Sequence, residues 1–354
     1  MVQRYSPAFI HALTRQLFEA VRAPRHVADA IAESLVEANL KGHDSHGILR
    51  IAGYLESYQN RGRYPEDEPT FEERGLRTGT CDGAGGSGLY IAKIATERAI
   101  EKAKELETYQ MVVENNGHIG RLGAYAEIAA KAGCIGIITT GSGGAGRGRI
   151  LPFGGAKPAL GTNPMAIGVP TGDESPFIID YATSAIAAGK MFFAETQGKD
   201  LKEGCIVDKE GRPSVKVQDY YDGGNLLAFG KHKGYGMSLV VVLLGALSGG
   251  FDLKERSAGG CLIQIMDVEA FTPLSDYQQG VRAFLDSVKD VPPAAGFDQV
   301  LVPGDPEFIA RKDRLVNGIE VWDMTIDEIK EWAEKLDVSW DEDSIEASDR
   351  ARYA

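Results

Sequence analysis

Residues 77–88 read Arg77-Thr78-Gly79-Thr80-Cys81-Asp82-Gly83-Ala84-Gly85-Gly86-Ser87-Gly88, and the fold turns on whether they carry a dinucleotide fingerprint. Gly83, Gly85 and Gly88 fit Gly-x-Gly-x-x-Gly at the start of a helical pattern, and Glu114 follows a later strand at a suitable distance. The fingerprint also needs a buried parallel strand directly upstream, and Arg77 to Asp82 hold almost no apolar side chain. A second match, Gly141-Gly143-Gly146, follows a good strand but runs into Arg147 to Pro152, which cannot start a helix where a phosphate needs its amides. Both matches fail, so the sequence predicts an α/β chain outside the Rossmann class. A glycine-rich loop cradling phosphates and a plain surface loop both stay open for the second stretch.

Upstream, Ser6-Pro7 forms an N-cap and first turn for a helix through Phe9, Ile10, Leu13 and Leu17. Val27, Ile31, Leu35 and Leu40 mark a second helix ending at Gly42, and His43 to Tyr58 suits a third that begins near Asp44 or Ser45. The expected units are a helical arm over 1–75, an α/β domain over 76–270, helices over 271–340 and an acidic tail over 341–354. Within the α/β part, a helix at Leu89 to Lys104, a strand at Tyr109 to Glu114, a helix at Leu122 to Ala132 and a strand at Cys134 to Thr140 alternate. Beyond the loop Gly141 to Pro164 come strands at Met165 to Val169 and Phe177 to Ile179. An apolar helix, Tyr235 to Leu247, is expected in a core, and Cys261 to Val268 reads as a buried strand. Helices near Gln278 to Val288, Pro306 to Leu315 and Ile326 to Lys335 follow, and Asp341 to Asp349 is expected to be solvated and mobile.

With 354 residues and 43% hydrophobic side chains, the chain can bury a sizeable core. A net charge of -13 without any basic block argues against nucleic-acid or anionic-membrane partners, so an anionic ligand must be drawn in by particular basic residues. Cys81, Cys134, Cys205 and Cys261 are far apart and show no zinc spacing, so they read as buried thiols in a reducing compartment and no metal is expected. No signal-peptide pattern opens the sequence and no apolar run is long enough to span a membrane, so the expectation is a cytoplasmic protein.

The segment richest in chemistry is Asp44-Ser45-His46-Gly47 with Arg50 and Tyr54. On one helix, His46, Arg50 and Tyr54 would share a face. Reduction of a 2-oxo acid needs a cation for the carboxylate and an acid for the carbonyl oxygen; Arg50 offers a two-pronged fork and His46 titrates near neutrality. An exposed helix face with unrelated polar groups is the competing account. His118, in Asn115-Asn116-Gly117-His118-Ile119-Gly120, lies where a strand hands over to a helix, the end at which ligands gather in α/β proteins; a turn histidine bonded to backbone is the alternative. Lys231-His232-Lys233-Gly234-Tyr235-Gly236 opens the apolar helix, where lysines and helix-start amides suit a pyrophosphate; a solvent-facing basic turn is equally consistent.

Six motifs in order, Ser45-His46-Gly47 with Arg50 and Tyr54, Asn116 to Gly120, Gly161-Thr162-Asn163-Pro164, Asp180 to Ser184, His232 to Gly236 and Pro303-Gly304-Asp305, resemble the type-2 malate/L-lactate dehydrogenase family over nearly the whole chain. The resemblance implies a non-Rossmann α/β fold with a mixed sheet and an N-terminal helical arm. It also implies a homodimer, a nicotinamide cofactor (NAD or NADP) and hydride transfer between that cofactor and a small 2-oxo or 2-hydroxy acid. Reduction of a cyclic imino acid, or a catalytically silent nucleotide-binding regulator, is the alternative. By the same resemblance, His46 and His118 are the candidate proton carriers and Arg50 the carboxylate ligand, with Ser45 and Tyr54 beside the substrate. Ser142, Asp180, Tyr181, Ala182, Thr183, Ser184, Lys233, Gly234, Pro303, Gly304 and Asp305 are implied to line the cofactor. The chain departs from the family pattern in Tyr181 where Met is usual, Asp305 where Glu is usual and Cys205 where Trp is common. Arg147 and Arg149, on a loop longer than usual, either contact a 2'-phosphate or face solvent.

Overall fold

The computed structural model describes residues 2–61, 68–187, 190–191, 194–195, 198–342 and 346–353. Its framework is a mixed sheet running β2 (Thr70–Gly75), β3 (Thr78–Asp82), β4 (Thr108–Glu114), β12 (Ser257–Asp267), β5 (Cys134–Gly144), β6 (Met165–Val169) and β7 (Phe177–Tyr181), with β11 (Phe251–Asp252) on β12. Only the pair β3 and β4 is parallel; the others are antiparallel. A doubly wound parallel sheet is thereby excluded, and the α/β, non-Rossmann expectation holds.

The expectation that 77–82 could not be a buried strand needs correcting. Thr78–Asp82 lies in the sheet with residues 79–81 buried, and α4 (Gly88–Leu106) carries the chain across to β4. Thr80 and Cys81 are compact and β-prone, so a strand without large apolar side chains still packs, and at Gly79 a Cβ would meet the Tyr109 hydroxyl at 2.5 Å. A strand, glycine loop, helix and strand therefore do follow one another, yet the loop amides are spent inside the protein. Gly83 N–H donates to the Glu114 carbonyl (2.9 Å), Gly85 to Asn115 (2.5 Å) and Gly86 to Gly83 (2.8 Å). Any Cβ at Gly88 would collide with the carbonyls of Gly117 and His118. These glycines serve close backbone packing, which leaves few amides for a pyrophosphate.

The N-terminal arm consists of β1 (Val2–Tyr5), α1 (Pro7–Ala20), α2 (Arg25–Leu40) and α3 (Ile51–Arg61). Ser6 Oγ accepts the Phe9 N–H (3.5 Å) and Pro7 fills the first turn. Along α1 and α2, Ile10, Leu17, Ile31, Leu35 and Leu40 are fully buried, in one core with Ile319, Val321, Ile326 and Ile329 from the C-terminal part. Strand β1 pairs antiparallel with β13 (Ile319–Trp322), so the arm is completed by chain synthesised some 300 residues later. Thr70–Gly75, at the end of the expected arm, is the edge strand of the main sheet.

The acidic end is not uniformly solvated. Although 343–345 lie outside the described residues, α11 (Ala347–Arg352) docks on α1 and Asp349 is 4% exposed. Arg15 Nη2 donates to Asp349 Oδ2 at 2.7 Å. Fully buried His11 lies between Asp349 (Nδ1, 3.3 Å) and Asp29 (Nε2, 3.5 Å), and Arg352 pairs with Asp29 at 2.8 Å. Two arginines balance the two carboxylates, and that is why an acidic segment can be buried here.

The apolar helix α7 (His232–Gly245) follows two small strands, β8 (Ile206–Val207) and β9 (Pro213–Ser214), then α6 (Val217–Tyr221) and β10 (Asn225–Leu226). It packs on β5 and β12 with Val241 and Val242, but Leu239, Val240 and Leu243 face outward, so only one side lies in a core. Helices α8 (Leu274–Lys289) and α9 (Asp305–Asn317) contain no buried residue, and α10 (Asp323–Lys335) seals the arm. All four cysteines are buried and unpaired.

Candidate active site

The chain between α2 and α3 does not continue as one helix. Asp44–His46 and Ile48–Arg50 are separate 3-10 turns around Gly47, whose backbone is extended (φ -92°, ψ -150°), and α3 starts only at Ile51. Asn39, buried at the end of α2, causes the break. Its Oδ1 accepts the Ile48 N–H (2.8 Å), its Nδ2 donates to Asp44 Oδ1 (2.6 Å), and it occupies the space a Cβ at Gly47 would need. Arg314 from α9 holds Asp44 through both carboxylate oxygens. The expected single face of His46, Arg50 and Tyr54 is therefore wrong in its mechanism: a tertiary clamp, not helical periodicity, brings them to the same place.

His46 and His118 form a near-parallel pair, with centroids 5.9 Å apart and planes 16° from parallel. The Tyr54 hydroxyl lies 2.6 Å from His118 Nδ1, and the Gly120 N–H donates to the same nitrogen at 3.3 Å. Ser45 Oγ lies 2.9 Å from His46 Nδ1. Arg50 Nε donates to the Ser45 carbonyl (2.8 Å), and its remaining N–H groups have no partner among the described residues. A cavity of about 320 Å³ adjoins His118, lined also by Tyr54, Ser57 and the stretch Gly85 to Leu89.

Electrostatics follow from this arrangement. Burial, then the neighbouring His118 ring and Arg50, pull the His46 pKa down to about 3. Burial and then Arg50 also lower that of His118, whose ring edge stays accessible at the cleft mouth. Tyr54 is pushed up to about 12 by burial, so it remains a phenol. The cleft thus holds two neutral imidazoles beside a guanidinium with free N–H groups, a setting made for an anion.

Arg121, 4% exposed and absent from the sequence reading, follows directly after His118-Ile119-Gly120. Its Nη2 lies 3.4 Å from Glu127, which Lys41 and Lys131 also approach. Burial raises the Glu127 carboxyl, but Lys41, Arg121 and Lys131 overcome this and hold it at about 2. Asn39 was also missed, although a lone amide next to Leu40 near the end of an apolar helix was a readable signal. Arg121 had no such mark, because its burial depends on α2 and α5 (Gly123–Lys131) meeting.

The residues expected to line a cofactor fall along β7. At one end, Thr183 N–H and Oγ1 donate to the Thr162 carbonyl (2.8 and 2.9 Å), and Phe229 N–H donates to the Thr183 carbonyl (3.0 Å). Asn163 accepts the Ser142 N–H (2.9 Å) and donates to Ser238 (2.8 Å). These bonds gather Ser142, Thr183, Ser184, Lys233 and Gly234 around the start of α7. In the middle, Asp180 Oδ2 accepts the Gly123 N–H (2.7 Å) at the start of α5, the Tyr181 ring meets Phe229 edge-on, and Ala182 links them to Thr183. At the far end the Pro303 carbonyl accepts the Ile178 N–H (3.3 Å), Gly304 presses on the Pro176 carbonyl, and Asp305 Oδ2 accepts the Val302 N–H (3.1 Å).

Two expectations about phosphate ligands change. The first amides of α7 are not open, since Lys233 N–H donates to Gly230 (3.2 Å) and Gly234 N–H to Phe229 (3.1 Å). Arg149 lies over the Tyr220 ring (4.3 Å) and donates to the carbonyls of Tyr220 and Gly224, so it braces the loop; Arg147 approaches Glu255 at 3.5 Å. What remains unpaired among the described residues is the exposed Lys233 side chain, with no ion pair, and the buried Ser184 hydroxyl, with no hydrogen-bond partner. A cation and an unsatisfied hydroxyl are groups that an anionic, polar ligand can use.

The sequence profile described as malate/L-lactate dehydrogenase matches residues 5–330. The chain is 32% identical to a malate dehydrogenase of Pyrococcus horikoshii over 330 residues, covering 89% of this chain and 90% of that one. It is 33% identical to an L-sulfolactate dehydrogenase of Methanocaldococcus jannaschii over 332 residues, covering 91% and 94%. The fold superposes on a crystal structure of malate dehydrogenase from Entamoeba histolytica with a TM-score of 0.88 at 26% identity, covering 96% and 99%.

Proposed function

The chain belongs to the malate/L-lactate dehydrogenase family, and on that premise we propose that it is an oxidoreductase that interconverts a small 2-oxo acid and its 2-hydroxy acid using NAD(H) or NADP(H). The observation that carries this reading is the pair of stacked imidazoles beside the guanidinium of Arg50, whose outer N–H groups are free.

Arg50 holds the substrate carboxylate with Ser45 at its side, and Tyr54 acts on the substrate through His118, to whose Nδ1 its hydroxyl is bonded. Its charge explains how a chain of net charge -13 binds an anion. When bound, a nicotinamide cofactor would supply the chemistry of hydride donation to, or removal from, the 2-carbon. An imidazole exchanges the accompanying proton with the substrate oxygen, a contribution worth roughly 10² to 10⁴ in rate. A neutral imidazole is ready to act as a base in hydroxy-acid oxidation. In the reductive direction the anionic substrate brings a counter-charge that favours proton uptake.

Lys233 and Ser184, with Ser142, Thr183 and Gly234, would hold the phosphate and ribose region of the cofactor, and Asp180 to Ala182 and Pro303 to Asp305 would line the rest of its course along β7. The bare apolar side of α7 and the exposed Phe271, Phe284 and Phe297 support a homodimer in which these surfaces are covered. Four buried, unpaired thiols support a reducing, cytoplasmic setting.

The test is to follow absorbance of reduced nicotinamide with pyruvate, oxaloacetate, sulfopyruvate and a cyclic imino acid, each with NADH and with NADPH. Turnover of an oxo acid is expected. Turnover of the imine alone would reassign the substrate class, and cofactor binding without turnover of any compound would make the chain a silent nucleotide binder.

A further inference from the structure

Two imidazoles stack on one another, and their hydrogen bonds give them different capacities. At His118, two donors converge on Nδ1: the Tyr54 hydroxyl at 2.6 Å and the Gly120 N–H at 3.3 Å. A backbone N–H can only donate, so Nδ1 must carry a lone pair, and the Tyr54 proton points toward it. Turning the ring over would set a C–H against both donors, which fixes the ring orientation as well. The ring proton therefore sits on Nε2. Burial keeps Tyr54 protonated, in agreement with this geometry.

At His46 the only partner of Nδ1 among the described residues is the Ser45 hydroxyl at 2.9 Å. A hydroxyl donates or accepts as required, so this ring can be neutral or doubly protonated without losing its bond. No described residue bonds Nε2 of either ring.

Resting on the dehydrogenase reading above, we propose that Tyr54 is a positioning residue that locks His118 as an Nε2–H donor, so that His118 only hydrogen-bonds the substrate oxygen while His46 carries the proton. To act as a base, His118 would have to take a proton on a nitrogen that already holds one. To act as an acid from its neutral form it would have to become an imidazolate. A second proton on Nδ1 would face the Gly120 N–H. His46 meets none of these obstacles. In reduction His46 first takes up a second proton as the substrate carboxylate brings its counter-charge, and its Nε2–H bond then breaks as the O–H bond of the product forms, the carbonyl π pair having moved to oxygen on hydride addition; the ring is left neutral and regains a proton from solvent for the next turnover. Oxidation runs the same transfers in reverse.

Glutamine separates the roles, because its side-chain amide reproduces an Nε2 donor but cannot exchange a proton. With whichever oxo acid the wild type reduces, His46→Gln should lower kcat/KM by roughly 10² to 10⁴ and remove the pH-dependent limb. His118→Gln should cost only about tenfold and keep that limb. Tyr54→Phe should lower kcat several-fold in the wild-type background and by less than about twofold in the His118→Gln background, since its effect passes through the imidazole. A His118→Gln enzyme as impaired as His46→Gln, or a Tyr54→Phe loss equal in both backgrounds, would overturn the assignment. Nitrogen-15 spectra of histidine-labelled wild type, assigned by comparison with His118→Gln, give a readout independent of turnover. A lone-pair Nδ1 resonance for His118 is expected from about pH 6 to 9, and a protonated Nδ1 overturns the proposal. If the wild type turns over no oxo acid, the dehydrogenase reading fails, and the spectra still decide the state of His118.

Discussion

The side-chain amide of Asn39 fills the space that a β-carbon on Gly47 would need, and the same amide binds Ile48 N–H and Asp44. This single contact ends the helical path between α2 and α3 and sets His46 against His118. Gly47→Ala should therefore destabilise the fold by about 1 to 3 kcal/mol through overpacking and reduce kcat at least tenfold. Urea unfolding and steady-state kinetics check this; an alanine enzyme of wild-type stability and rate would remove the clamp from the account.

Arg50 keeps one N–H on the Ser45 carbonyl and leaves its fork free. Lysine preserves the charge but not the two parallel donors, so Arg50→Lys should raise KM for the oxo acid by about 10 to 100-fold. Cofactor affinity should not move. An unchanged KM would take Arg50 out of carboxylate binding.

Acid should destabilise the protein through its buried histidines. In the fold, His46 stays neutral down to about 3, whereas in the unfolded chain it takes a proton near its ordinary value of 6.5. Between these values the unfolded state binds more protons, so stability rises with pH across the window and falls on acidification below 6.5. At about pH 5 the loss is roughly 1 to 2 kcal/mol, allowing for partial solvent access. Thermal melts of wild type should drop more steeply between about pH 7 and 5 than those of His46→Gln, which cannot protonate; equal slopes would contradict a buried neutral His46.

Glu127 is the anion that keeps Lys41 and Arg121, both nearly buried, in the fold. Its carboxyl is held at about 2, so its stabilising contribution is complete above its ordinary 4.5 and disappears as pH falls through about 2. Glu127→Gln leaves buried Arg121 without its carboxylate and Lys41 with Glu37 alone (3.3 Å), and should cost roughly 3 kcal/mol. Because Arg121 directly follows His118-Ile119-Gly120 in the chain, the variant should also lose activity; a loss below about 1 kcal/mol in urea titration would show the network to be solvated.

Much of the fold was legible because its signals are local. The apolar runs of β4, β5, β6 and β12 and the cap Ser6-Pro7 declare themselves within a few residues. Strand β3 was not legible, because its place depends on Tyr109 and β4 closing over side chains too small to look like a core. The site divides in the same way. Residue types with unmistakable chemistry, such as His46, Arg50 and His118, stood out, whereas Asn39 and Arg121 act through contacts that exist only once α2, α5 and α9 have met.

The ion pair between Arg15 and Asp349 spans 334 positions, and β1 and β13 close a loop of similar length. During synthesis α1 and α2 leave the ribosome early with Glu19 and Asp29 beside Arg15 and His11, yet the Asp349 carboxylate that lies nearest both arrives only when residues near 349 emerge. The arm must therefore wait, half-built, for almost the entire chain, and such high contact order points to slow final closure and a period in which a holding chaperone would find exposed leucines and phenylalanines to bind.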